Sequence, residues 1–148
     1  KWLVQHVFNE SGIPFIIAGK EPSQQLQSCI KKHANISLIA NPSDEEMQQL
    51  ITDAQINILP SFNTTGVKLK LLNALYNGRH CLVNQAGVAG SGLEALCHIA
   101  ETANGFKESI QQLYTQPFTE DISTQREALL PQLYNNDRNA QQLITWIL

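Results

Sequence analysis

The spacing of apolar positions changes repeatedly along the 148 residues, and each change marks an element. Trp2, Leu3, Val7 and Phe8 recur at helical spacing until Ser11-Gly12, which reads as a helix stop. The chain opens abruptly inside that amphipathic pattern without a start methionine, so a fragment of something longer is expected. Ile13 to Ala18 is a short, almost wholly apolar run ending in Gly19, as in a strand covered on both faces of a parallel sheet. Pro22 and Ser23 start a helix with Leu26, Cys29 and Ile30 inward. Ile36 to Ala40 reads as the second strand. Ser43 with Glu46 then fits a capping box, and Met47, Leu50, Ile51 and Ala54 mark the inward face of the next helix.

The third strand is expected over Ile56 to Leu59, followed by a helix from Val67 to Asn77 and a fourth strand over His80 to Asn84. A glycine-rich loop, Gly87 to Gly92, leads to a helical turn around Leu93 to Leu96 and a short fifth strand over Cys97 to Ala100. The remainder reads as helical: Gly105 to Tyr114, Asp121 to Tyr134 with Pro131 as an interruption, and Arg138 to Leu148. Strands and helices that alternate in this way imply an α/β fold, with parallel strands joined by right-handed crossovers. No internal repeat or linker divides residues 1–148, so a single domain is expected.

In open parallel sheets ligands bind beyond the carboxyl ends of the strands. That rule selects Gly19-Lys20, Asn41-Pro42-Ser43, Ser61 to Gly66 and Asn84 to Gly92 as one rim. The stretch from Ile56 to Gly78 is its centre: a buried strand, a polar turn over Pro60 to Thr65, Gly66, then a helix. The first turn of a helix has unpaired N–H groups and a partial positive charge, which makes an anion site. Lys68 and Lys70 add formal charge within two turns of it. Gly66 has two readings: a strand-to-helix turn that needs a glycine, or a gap that lets a phosphate reach the backbone without meeting a Cβ. Lys70, Asn73 and Asn77 share one polar side of the helix, opposite Leu71, Ala74 and Leu75. A solvated face and a ligand-facing one both fit them.

Charge and composition narrow the choice. A net charge of −3 without a basic block lacks the electrostatic footprint of a nucleic-acid binder. No apolar run approaches the roughly 20 residues that span a bilayer. Cys29, Cys81 and Cys97 have no zinc or redox spacing, so reduced core thiols of a cytoplasmic protein are expected. His6, His33, His80 and His98 lack a nucleophile or carboxylate at a suggestive spacing and read as structural. GVAGSG has the wrong order for a dinucleotide fingerprint. No metal set, cofactor site or complete catalytic constellation is found, and the catalytic residues stay unknown.

The succession FIIAGKEPS, ISLIANPSDEEMQQLITDAQINILPS and TGVKLKLLNALYNGRHCLVN resembles the C-terminal half of a group 1 (GT-B type) glycosyltransferase, over roughly Phe15 to Leu113. The resemblance implies a Rossmann-like open parallel sheet of about five strands flanked by helices, with a C-terminal helical segment. It implies a nucleotide-diphosphate sugar donor, whose diphosphate would lie at Gly66 and the helix start and whose ribose would lie near Asn73. On this reading the substrate-binding residues are Gly19, Lys20, Asn41, Ser61, Thr64, Thr65, Gly66, Val67, Lys68, Lys70 and Asn73.

Two departures stand out. The family's paired glutamates fall on Thr65 and Asn73 in this chain, and an asparagine is a weaker acceptor for a ribose hydroxyl than a carboxylate. The first strand of the family's domain and its N-terminal acceptor-binding domain would precede Lys1. The whole enzyme would move a sugar to an acceptor hydroxyl, in surface polysaccharide assembly, and this fragment alone should be inactive. Two alternatives stay open: a non-catalytic GT-B relative acting as an interaction module, and a nucleotide-sugar epimerase domain.

Overall fold

The structure, a computed structural model, describes residues 1–63, 68–135, 141 and 144–145. Its elements alternate as α1 (Trp2–His6), β1 (Phe15–Gly19), α2 (Gln24–Ile30), β2 (Ile36–Ala40), α3 (Asp44–Asp53), β3 (Ile56–Ile58), α4 (Leu69–Asn77) and β4 (His80–Val83). They continue with α5 (Gln85–Val88), a 3-10 turn over Glu94–Leu96, β5 (His98–Ile99), α6 (Ala103–Thr115) and α7 (Glu120–Leu133). Side chains start several helices where the sequence predicts. Ser23 caps α2 through Leu26 N, and Ser43 and Glu46 close a reciprocal capping box on α3.

All strand pairs are parallel, as expected, but they form two sheets rather than one of five strands. β1 pairs with β2 from Phe15↔Ile36 to Gly19↔Ala40; β3, β4 and β5 form the other sheet in that order. One core nevertheless spans both. Val4, Val7 and Phe8 beside α1 pack with Ile36 of β2, Leu82 of β4, and Phe106 and Ile110 of α6. The Phe8 ring stacks on Phe15 at 4.0 Å, while Trp2 meets Phe106 edge-on at 5.6 Å. The alternate residues of β4, Cys81 and Val83, face a second core made with Leu71, Ala74 and Leu75 of α4, Val88, Leu93 and Leu130. Each fully buried Leu or Phe contributes about 1.5–3 kcal/mol.

Two sequence expectations change. The glycine-rich stretch begins as a helical turn, because Asn84 caps it through Gly87 N at 3.2 Å. Gly87 is buried there, and a Cβ would stand 3.2 Å from Val83 Cβ and 3.3 Å from Leu59 O. Turn glycines follow at Gly90 and Gly92, with φ of 70° and 71°. Pro131 does not interrupt α7: it lies in the last turn, where its missing N–H removes one bond, and Tyr134 N still reaches Leu130 O. The helix expected from Val67 to Asn77 is described as α4 from Leu69 onward, and Val67 lies outside the described residues. The helix expected over Arg138 to Leu148 lies largely outside the described residues.

Candidate functional site

Parallel strands send their carboxyl ends to one side, and the rim chosen from the sequence lies there. At the β3 exit the last ladder bond is Leu59 N to Leu82 O at 2.9 Å. Pro60 has no N–H with which to continue the ladder. The Asn84 side chain takes over one residue later. Its Oδ1 accepts from Ser61 N and its Nδ2 donates to Ser61 O, both at 2.8 Å. Ser61 Oγ then donates to Asn63 O at 2.7 Å and accepts from Asn63 N at 3.1 Å. Lys68 Nζ donates to the same Asn63 carbonyl at 2.9 Å.

Lys68 occupies the N-cap position of α4, and its side chain does not cap the first turn. The leading N–H groups of a helix carry a partial positive charge, and the Lys68 side chain leaves them open at this start. Lys70 is exposed, and its ammonium makes no hydrogen bond or ion pair with a described residue. Asn73 is half-buried one turn on, where its Oδ1 and main-chain oxygen accept from Asn77 Nδ2 at 2.7 and 3.2 Å. Asn73 and Asn77 thus share one polar side, as their spacing predicts. Thr64, Thr65, Gly66 and Val67 lie outside the described residues.

The β1 and β2 exits form a second group. Asn41 N donates to Gly19 O at 2.9 Å, and Asn41 Oδ1 accepts from Glu21 N at 2.8 Å. Glu21 and Asn41 both hold left-handed backbone, with φ of 47° and 52°, which asparagine tolerates better than most residues. Lys20 is exposed. Gly19 and Asn41 are therefore in contact with each other, as are Ser61 and Lys68 through Asn63. No hydrogen bond joins one group to the other among the described residues.

Two further residues shape the site's frame and escaped the sequence reading. Asn84 was visible only as part of a rim, although an asparagine directly after an apolar strand and before Gln-Ala-Gly is a helix-cap signal. Arg126 is buried, with only 5% of its surface exposed, and donates to Leu75 O, Gly78 O and Arg79 O at the C-terminal end of α4. Burial lowers its pKa, and the main-chain carbonyls and the Phe118 ring, 4.9 Å from the guanidinium carbon, surround the charge. Its signal was a lone basic residue at helical spacing from Ile122, Leu129 and Leu130.

Burial pushes the Cys81 thiol up to about 11 and the Cys97 thiol up to about 12, so both stay protonated near neutrality. His80 is buried with its Nε2 3.2 Å from Gln116 O. Among the described residues no group of His, Cys, Asp or Glu is arranged to hold a metal ion, and no helix is long and apolar enough to cross a membrane. Two cavities, of about 290 Å³ beside Phe8 and Ile13 and about 190 Å³ beside Phe118 and Arg126, lie away from the rim residues. The chemistry on the rim is that of an open surface corner with backbone donors and ammonium groups.

A family model described as glycosyl transferases group 1 matches residues 2–116, which takes in every element from α1 through α6. The chain is also 38% identical over 72 residues to an "Uncharacterized 44.6 kDa protein in cps region" of Klebsiella pneumoniae. That alignment covers 47% of this chain and 19% of the relative, about a fifth of its length.

Proposed function

The chain belongs to the group 1 glycosyl transferases, and on that premise we propose that it binds the nucleotide-diphosphate sugar donor of such an enzyme. The observation that carries this reading is the β3–α4 corner. There Asn84, Ser61, Asn63 and Lys68 form one chain of hydrogen bonds leading to the start of α4, which the Lys68 side chain does not cap, with Lys70 exposed beside it. Backbone N–H groups and an ammonium fixed before reaction would stabilise the charge that builds on the leaving diphosphate. Lys68 serves this corner by holding the Asn63 carbonyl. The acceptor that carries the attacking hydroxyl would be bound by a further domain of the full-length protein, acting in the cytoplasm. The cps-region name of the Klebsiella relative supports surface polysaccharide as the product class.

Isothermal titration of the full-length protein with UDP, GDP and their sugars tests the reading. Binding of one nucleotide diphosphate, weakened about tenfold by Lys70→Ala, is the expected result. Absence of binding to every one of them would remove it.

The broken sheet supports a second part of the proposal. In a parallel ladder, alternate residues direct their N–H and C=O to opposite neighbours. Phe15 and Gly19 bond across to the β2 side, and Gln55 and Leu59 to the β4 side. Ile16 and Ala18 of β1, and Ile56 and Ile58 of β3, therefore turn their groups away from those partners. We propose that one further parallel strand of the full-length protein lies between β1 and β3 and completes a doubly wound sheet. Amides of those four residues should exchange slowly in the full-length protein and fast in residues 1–148 alone; equal rates would remove the strand.

One observation favours a rival. Asn73 Oδ1, the acceptor proposed for ribose, is already engaged by Asn77. A non-catalytic relative used for protein interaction would keep that bond, whereas a donor site must exchange it for a ribose hydroxyl.

A further inference from the structure

We infer that Asn84 is a positioning residue for nucleotide-diphosphate binding at the β3–α4 corner, an inference that rests on the donor reading above. Two backbone donors, Ser61 N at 2.8 Å and Gly87 N at 3.2 Å, converge on its Oδ1 and fix which way the carboxamide faces. The amide nitrogen is thereby left to donate to Ser61 O at 2.8 Å. A carboxamide is the side chain that offers a donor and an acceptor together, so Asn84 satisfies Ser61 as a neighbouring strand residue would. It does so at the place where Pro60 ends the ladder.

The consequence runs in both directions along the chain. Toward α5, a Cβ on Gly87 would press to 3.3 Å from Asn84 Oδ1 and the same distance from Leu59 O, so the glycine leaves the oxygen room for two donors. Toward α4, Ser61 Oγ grips Asn63 at two points, and Asn63 O accepts from Nζ of Lys68, the helix's N-cap residue. Asn84 is half-buried directly after β4, whose four residues are all buried. A side chain at the end of a fully buried strand thus sets where the N-terminal end of α4 is anchored. Asn84 touches no donor atom on this account; it acts through Ser61.

The substitution that isolates this role is Asn84→Ser in the full-length protein. Serine retains a cap for Gly87 N but is too short to bridge both Ser61 groups. Asn84→Asp retains both acceptor roles and loses the donor to Ser61 O. Amide exchange over residues 59–63 reports the brace without any nucleotide, and calorimetric titration with UDP and GDP reports the site. In Asn84→Ser we expect exchange at Ser61 about tenfold faster and affinity for the bound nucleotide about tenfold weaker, with Asn84→Asp between it and wild type. Unchanged exchange overturns the inference. Faster exchange with affinity within about twofold of wild type also overturns it and leaves the donor reading standing. If wild type binds neither UDP nor GDP while exchange accelerates in the variants, the donor reading fails and takes this inference with it.

Discussion

The two sheets use the same device at their exits and invest in it unequally. Asn41 makes one side-chain bond, to Glu21 N, from an exposed position at the end of β2. Asn84 makes three, to Ser61 N, Ser61 O and Gly87 N, from a half-buried position at the end of β4. The frames behind them differ in the same sense. In the β1–β2 pair only Ile36 is buried, Ile16 is 50% exposed, and α3 has no buried residue. β4 is buried along its whole length, and α4 contributes Leu71, Ala74 and Leu75 to the core. A brace positions a loop only as firmly as the element that bears it, so the β3–β5 half gives the firmer frame to the corner proposed for the diphosphate.

The largest test of that contrast is Arg126→Met. It removes the donors to Leu75 O, Gly78 O and Arg79 O while keeping an unbranched apolar stem, and should cost about 3–5 kcal/mol in urea unfolding. Native-state exchange should quicken most in α4 and β4. If β1 and β2 open at the same free energy, the two halves are one cooperative unit and their difference is local packing alone. Gly78→Ala comes next, at about 2–3 kcal/mol. Its Cβ would meet Asn57 Nδ2 at 2.4 Å, Ala74 O at 2.8 Å and Ile51 O at 3.0 Å, so β3, α3 and α4 must shift together. The φ of −105° is open to any residue, and the cost is steric.

Periodicity made most of this frame legible. The alternating apolar runs identify five strands within a residue or two, and Ser43 with Glu46 identifies the start of α3. Local signals could not report pairing between distant strands, so the division into two sheets was hidden. The same limit hid Arg126, whose partners lie 47 to 51 residues away in sequence. The candidate site was legible as a rim because topology fixes where carboxyl ends gather. The bond by which Asn84 holds the β3 exit was not, because Asn84 and Ser61 are 23 residues apart. Lys68 shows the opposite failure: its charge is visible in sequence, but its bond to Asn63 O is a product of the fold.

A smaller effect should come from alkaline pH. Burial raises the folded-state thiols, Cys81 to about 11 and Cys97 to about 12, against an ordinary value of 9.0. The unfolded chain therefore loses these protons first. The stability they contribute is intact below about pH 9 and is lost as pH rises through the folded values. Urea midpoints should fall between pH 9 and 11, and the slope should flatten in a Cys81→Ala, Cys97→Ala double variant. Both thiols belong to the β3–β5 half, so a matching acceleration of exchange in β1 and β2 would again argue for one unit.

The smallest effect, and the sharpest comparison, is at Asn41. Asn41→Gly suits the φ of 52° and removes only the bond to Glu21 N, so it should cost about 0.5 kcal/mol or less. Asn41→Ala loses the same bond and adds left-handed strain, for about 1 kcal/mol more. Exchange at Glu21 should quicken in both variants, while nucleotide affinity stays close to wild type in Asn41→Gly. The ratio of that affinity to the Asn84→Ser value measures how far the two exits differ. Equal losses would mean that Gly19, Lys20 and Asn41 contact the donor as directly as the β3–α4 corner does, and the ligand would have to span both halves of the rim.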